Sequence, residues 1–85
     1  ELAPGDPFIT DSLGWVEYRR GNRAEAVRLL RRAYQARPDA EIAAHLGEVL
    51  WKLGRRDEAR RYFDQARKLD PDNRSLKRAL QAVGL

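Results

Sequence analysis

An internal repeat with a period of 33 residues most constrains what this 85-residue chain can fold into. Small residues, large apolar residues and prolines recur in the same order one period apart. The recurring pairs are Leu13 and Leu46, Gly14 and Gly47, Gly21 and Gly54, Ala26 and Ala59, Leu30 and Phe63, Ala33 and Ala66, and Pro38 and Pro71. A period of this length indicates stacked supersecondary units that bury their apolar faces against one another.

Each unit is predicted to be a pair of helices. Asp6 followed by Pro7 is a helix-start signal, because a carboxylate accepts from free N–H groups and proline fits the first helical position. The first helix should run from about Pro7 to Arg20, and Gly21 can end it in the left-handed conformation. Asn22, with Glu25 three residues on, predicts a capping box at the start of the second helix.

Apolar residues at three- and four-residue spacing define the faces of the other helices. In the second helix these are Ala26, Val27, Leu30, Ala33 and Tyr34, before Pro38 ends the helix. In the second unit they are Ile42, Leu46, Val49, Leu50 and Leu53 after the cap Asp39, then Ala59, Tyr62, Phe63, Ala66 and Leu69 before Pro71.

A last helix is expected from about Arg74 to Val83, with Asp72-Asn73 as its cap. It is either a solvating cap or the first helix of a further unit. The chain is thus predicted to be one all-α domain. Its parts are a tail of a preceding unit (1–6), repeat 1 (7–39), repeat 2 (40–73) and the last helix (74–85).

Glycine and alanine at the recurring positions predict close approach of the two helices in each hairpin. Gly14 and Gly47 mark this approach, and large residues should fill the neighbouring space. The expected large core residues are Leu13, Leu46, Leu30 and Phe63.

This pattern resembles the tetratricopeptide repeat: Leu-Gly, then Ala followed four residues later by Leu or Phe, another Ala and a Pro. The resemblance covers nearly the whole chain. The phrase from Asp11 to Trp15, the phrase from His45 to Trp51, and 14 Arg against 3 Lys are similar to proteobacterial members. We therefore expect a fragment of a longer bacterial protein. The resemblance implies a right-handed superhelix whose first helices line a concave groove that binds a peptide or partner protein.

By the register of this resemblance, twelve residues would face the groove. They are Phe8, Asp11, Ser12, Trp15, Tyr18, Arg19, Glu41, Ala44, His45, Glu48, Trp51 and Lys52. The tryptophans and Tyr18 offer large, stiff contact area, and the charged residues would set polarity around them. Members that clamp the terminal carboxylate of heat-shock chaperones carry Lys and Asn where this chain has Asp11, Trp15 and His45, so we expect a different ligand.

The charge of the chain suggests an alternative function. Its net charge is +4, and residues 74–85 carry Arg74, Lys77 and Arg78 without an acidic residue. Arginine doublets could bind nucleic acid or an anionic surface. However, acidic residues lie three or four positions from several arginines and lysines, as in Glu25 with Arg28, Asp57 with Arg61 and Asp64 with Lys68, which favours a solvated surface. Nucleic acid is therefore the second interpretation.

The sequence shows no recognisable set of catalytic residues. There is no cysteine and one histidine, His45, so neither a thiol nucleophile nor a metal site is predicted, and no cofactor is expected. A structural spacer is a third interpretation, with weak homodimerisation through open repeat ends near Phe8 and Ile9. The composition is compatible with the cytoplasm, the periplasm and a lipid-anchored parent protein.

Overall fold

The computed structural model describes residues 6–85, which form five α-helices. Their bounds are α1 (Pro7–Arg19), α2 (Arg23–Ala36), α3 (Ala40–Lys52), α4 (Arg56–Leu69) and α5 (Arg74–Ala82). Helix α1 packs on α2, α3 packs on α4, and α5 packs mainly against α3. The predicted all-α architecture of two helical hairpins and an extra helix is confirmed. All but Asp6 of the expected tail of a preceding unit lies outside the described residues, and the repeat boundaries stay a prediction.

Three side chains cap helices as the sequence predicts. The Asp6 carboxylate accepts hydrogen bonds from the backbone N–H groups of Phe8 (2.9 Å) and Ile9 (3.4 Å). Asp39 accepts in the same way at the start of α3. At the start of α5, the Asn73 side-chain oxygen accepts from the N–H of Leu76 at 3.1 Å. These bonds satisfy N–H groups that have no partner within the helix.

The capping box predicted at Asn22 is wrong. Asn22 makes no side-chain cap bond; its amide donates instead to Glu17 Oε1 at 2.7 Å. The cause is the backbone turn, in which Gly21 has φ +89° and the N–H of Asn22 donates to the carbonyl of Glu17 at 2.8 Å. This hydrogen-bonding pattern closes α1 and directs the Asn22 side chain back toward it.

Helix α3 lies at the centre of the core. Its buried residues are Ala40, Ile42, Ala43, Ala44, Leu46, Gly47, Val49 and Leu50. Gly47 lies directly against a ring of α4: a Cβ there would come within 2.6 Å of Phe63 Cε1. At the equivalent position Gly14, a Cβ would come within 2.9 Å of Leu30 Cγ. Both glycines therefore allow the close helix approach that the sequence predicts.

Leu13 is not a core residue, so that expectation is wrong. Its side chain is 53% exposed, whereas Leu46, one repeat later, is fully buried. The difference arises because α3 has helices on both sides, whereas no helix among residues 6–85 covers the corresponding face of α1. Ile9, Leu13 and Val16 make up this face, which we call the outer face of α1. Leu53 and Leu69, which were also expected on apolar helix faces, are 39% and 47% exposed.

Candidate functional site

Side chains of the two repeats meet between α1 and α3, on the faces predicted to line the groove. The His45 Nδ1 and Asp11 Oδ1 atoms are 2.8 Å apart, and the His45 ring stacks on Trp15 with 4.5 Å between centroids. Trp15 also contacts Tyr18, whose hydroxyl donates to Glu48 Oε2 at 3.3 Å. We call these five residues, Asp11, Trp15, Tyr18, His45 and Glu48, the groove cluster.

The pair of Asp11 and His45 joins the repeats through a largely buried contact. Asp11 is 4% exposed, which is unusual for a carboxylate, and the His45 side chain is 16% exposed. Burying a charged group is costly without a partner, so His45 compensates Asp11 across the repeat boundary. Asp11 therefore lies beneath the groove surface, where it contacts His45, and is not freely exposed to a ligand.

Tyr18 and Glu48 perturb each other at the other end of the cluster. Burial raises the pKa of Tyr18, and the nearby Glu48 charge and hydrogen bond raise it further. Burial also raises the pKa of the Glu48 carboxyl, against the opposing effects of the Tyr18 hydrogen bond and the charges of His45 and Lys52. Tyr18 is thus held as a hydroxyl donor, with its ring fixed beside Trp15.

Phe8 and Ser12 do not join the groove cluster. With Leu13 and Val16 they border a shallow cavity on the outer face of α1. Phe8 is 43% exposed, and the Arg37 guanidinium lies 5.4 Å from its ring centroid. The Ser12 hydroxyl donates back to the Phe8 carbonyl at 3.0 Å.

Trp51 and Lys52 lie at the C-terminal end of α3, near α4 and α5. The guanidinium groups of Arg56 and Arg60 lie 5.0 and 5.4 Å from the Trp51 ring centroid, so cations of α4 cover part of this ring. Lys52 Nζ donates to the carbonyl of Ala82 at 3.4 Å, at the end of α5. These residues therefore contact α4 and α5.

The remaining predicted groove residues divide between exposed and buried. Arg19 and Glu41 are exposed at the ends of their helices. Ala44 is fully buried, so its predicted place on the groove surface is wrong. A methyl side chain at this position lets α3 pack closely against its neighbours.

Within residues 6–85, ion pairs involve five of the fourteen arginines. Glu25 pairs with Arg28 at 2.6 Å as predicted, but Asp64 pairs with Arg67 and not with Lys68. The expected pair of Asp57 and Arg61 does not form within residues 6–85. Four further pairs were not predicted: Arg20 with Glu17, Arg31 with Glu58, Arg55 with Glu58, and Lys77 with Asp72. The pair of Arg31 and Glu58 joins α2 to α4.

The contacts between repeats were missed by reasoning along single helices. Asp11 and His45 are 34 residues apart, and Tyr18 and Glu48 are 30 apart, both close to the repeat period. Complementary polar residues separated by about one period are the sequence signal that could have identified these pairs.

Three oxygen and nitrogen donors converge at the N-terminal end of α3. One donor atom each from Asp11, Glu41 and His45 lies within 4.8 Å of the others. Imidazole nitrogen and carboxylate oxygens are ligands of divalent metal ions. The sequence prediction of no metal site rested on the single histidine and did not take into account carboxylates brought in from another helix.

Among residues 6–85, no helix is both long and apolar enough to cross a membrane. This agrees with the high content of charged residues, 35% of the chain.

Comparison with known proteins shows the family. A model described as tetratricopeptide repeat matches residues 12–74, more than half of the chain. The TPR repeat-containing protein PA4667 of Pseudomonas aeruginosa is 58% identical over 48 residues, which is 56% of this chain and 8% of that protein. The Protein CTR9 homolog of Arabidopsis thaliana is 43% identical over 72 residues, which is 82% of this chain and 6% of that protein. The chain thus spans less than a tenth of the length of each of these relatives.

Tetratricopeptide domains generally mediate protein–protein interaction and are typically non-catalytic scaffolds. The repeated Leu-Gly, Ala and Pro positions, the helical hairpins and the matched family model agree with one another. The chain belongs to the tetratricopeptide repeat family.

Proposed function

We propose that this domain binds a peptide or partner protein on the groove face of α1, α3 and α5. The observation that carries the proposal is the groove cluster, in which Trp15 stacks on His45 of the next repeat and also contacts Tyr18. Large aromatic groups supply most of the binding energy in many interfaces. Because contacts from both repeats already fix this ring, little side-chain freedom is lost when a ligand binds.

The charge along this face supports a polar partner segment. On the α3 part of this face the carboxylates Glu41 and Glu48 outnumber the single ammonium group of Lys52. One repeat period after Glu41, Ala44 and His45 come Arg74, Lys77 and Arg78, which are exposed on α5. A segment with basic groups near α3 and acidic groups near α5 would complement both parts.

The arginines of α2 and α4 favour this proposal over nucleic-acid binding. Glu25, Glu58 and Asp64 already neutralise several of them. A phosphate backbone would compete with these pairs, and Arg56 and Arg60 already lie over the Trp51 ring.

A pull-down from bacterial lysate with matched variants tests the proposal. The baits are the wild type, Trp15→Ala in the groove cluster, and Leu13→Ser on the outer face of α1, each first shown to be helical by circular dichroism. A specific partner should be recovered by the wild type and by Leu13→Ser. Binding to Trp15→Ala should be weaker by at least about 30-fold, which corresponds to a contact worth ~2 kcal/mol.

Two results would contradict groove binding. The first is equal affinity of wild type and Trp15→Ala for the recovered partner. The second is recovery of nucleic acid alone, lost steeply as salt is raised, which would support the arginine surface instead.

A further inference from the structure

We infer that Asp11, Glu41 and His45 form a binding site for a divalent transition-metal ion of the zinc class, which joins the two repeats. This inference concerns an inorganic ligand and does not depend on peptide binding. The site draws on both hairpins, because Asp11 lies on α1 and the other two residues lie on α3. A bound ion would therefore stabilise the contact between repeats.

The spacing of the donors suits a metal ion. Glu41 and His45 are four residues apart on α3, so their side chains lie on the same face of the helix. The three donor atoms lie within 4.8 Å of one another. In a tetrahedral zinc site with ligands at about 2.0–2.2 Å, donor atoms are separated by roughly 3.3–3.6 Å. Asp11 Oδ1 and His45 Nδ1 are 2.8 Å apart, so metal binding has to replace their hydrogen bond and separate these two atoms, while the exposed Glu41 side chain moves toward the ion.

The burial of Asp11 is an independent reason for a cation at this place. Asp11 is 4% exposed, and within residues 6–85 its carboxylate has one hydrogen-bond partner, His45 Nδ1 at 2.8 Å. An ionised carboxylate offers about four acceptor positions, so the hydrogen bond to His45 leaves others for a further ligand. No fully buried side-chain oxygen within residues 6–85 lacks a partner, so the remaining Asp11 oxygen is not an orphaned acceptor. A divalent ion held by Asp11, Glu41 and His45 would add positive charge beside this buried carboxylate.

The donor types favour zinc and its neighbours in the first transition series. One imidazole and two carboxylates suit Zn²⁺, Mn²⁺ or Co²⁺, whereas soft Cu⁺ prefers sulfur. Three protein ligands leave a fourth coordination position for water or another ligand.

The test uses tag-free protein, because His45 is the single histidine of the chain. Zn²⁺ binding is measured by isothermal titration calorimetry on the wild type, Glu41→Gln and His45→Gln. Glu25→Gln, which changes a carboxylate on α2, is the matched control. We expect one Zn²⁺ per chain, unchanged binding by the control, and at least about tenfold weaker binding by each ligand variant, a loss that even outer partners of metal ligands can cause.

A spectroscopic readout separates this site from adventitious binding. In a Trp51→Phe background, the remaining tryptophan is Trp15, which stacks on His45 at 4.5 Å between centroids. Paramagnetic Co²⁺ at the site should quench Trp15 fluorescence and show the visible absorption of a tetrahedral ion, and excess Zn²⁺ should reverse both. Zn²⁺ at a hundredfold excess over Kd should also raise Tm by at least about 10 °C.

Unchanged Zn²⁺ affinity in either His45→Gln or Glu41→Gln would overturn the proposal, as would Co²⁺ binding that leaves Trp15 fluorescence unaffected. Because Glu41 is exposed, Glu41→Gln is expected to fold even where His45→Gln does not. Trp15→Ala removes no metal ligand, so loss of partner binding and loss of metal binding are measured by different variants.

Discussion

Leucine-to-alanine substitutions at equivalent positions of the two repeats test the packing directly. Leu13 and Leu46 are 33 residues apart and occupy the same place in the repeat, but they are 53% and 0% exposed. If stacking of hairpins determines the core, Leu46→Ala should be strongly destabilising and Leu13→Ala nearly neutral. Sequence alone would assign the two substitutions the same effect.

The expected difference follows from burial. Removing a fully buried leucine side chain costs ~2–5 kcal/mol, because apolar contact is lost and a cavity remains. Complete burial of a leucine is worth ~1.5–3 kcal/mol, so truncating the half-exposed Leu13 should cost less than about 1 kcal/mol. Since each kcal/mol shifts Tm by ~4–8 °C at this chain length, Leu46→Ala should lower Tm by roughly 10–40 °C.

Urea unfolding followed by circular dichroism measures both variants, and thermal unfolding provides an independent check. Total stability for a chain of 85 residues is about 4–13 kcal/mol, so complete unfolding of Leu46→Ala would also agree with the prediction. Free energies of unfolding for the two variants that agree within about 0.5 kcal/mol would refute the reasoning, because the outer face of α1 would then be as buried as the centre of α3.

Three further substitutions test local features. Asp39→Ala should cost ~1 kcal/mol of stability in urea unfolding because it removes a side-chain cap, and Asn22→Ala, which removes no cap, should cost clearly less; the opposite order would contradict the assignment. Gly47→Ala should lower Tm, because overpacking against Phe63 costs ~1–3 kcal/mol and exceeds the ~1 kcal/mol gained in helix propensity. A raised Tm would argue against the close contact between Gly47 and Phe63. Burial raises the pKa of Glu48 in the folded state, so wild type should gain stability relative to Glu48→Gln as the pH falls from neutral toward the ordinary pKa of 4.5. A difference in unfolding free energy that stays constant over this range would contradict burial of the carboxylate.

Features set by nearby residues were predictable from the sequence. Asp6 and Asp39 cap their helices, and Gly21 and Gly54 end helices with positive φ, because these outcomes depend on a few neighbouring backbone groups. The repeat period then fixed the pairing of helices, since equivalent positions must pack in equivalent ways. The same logic failed at Leu13, where the neighbour that covers Leu46 has no counterpart in the described residues.

The contacts on the groove face join side chains of different helices, so the helical register of one helix does not predict them. Asp11 was expected to be exposed toward a ligand but is buried against His45 from the next repeat. Trp51 was grouped with Trp15, yet Arg56 and Arg60 cover part of its ring. Helical register predicts which face a side chain occupies, whereas its partner depends on how the hairpins are rotated against one another.

The near-constant separation of the contacts between repeats has a consequence for folding kinetics. Asp11 and His45 are 34 residues apart and Tyr18 and Glu48 are 30 apart, so each contact closes a loop of about one repeat. Loop-closure entropy depends only weakly on length, so every such contact carries a similar cost wherever it lies in the array. Folding can therefore begin in either hairpin and spread to its neighbour, and a longer array of these units would keep the same local contact order.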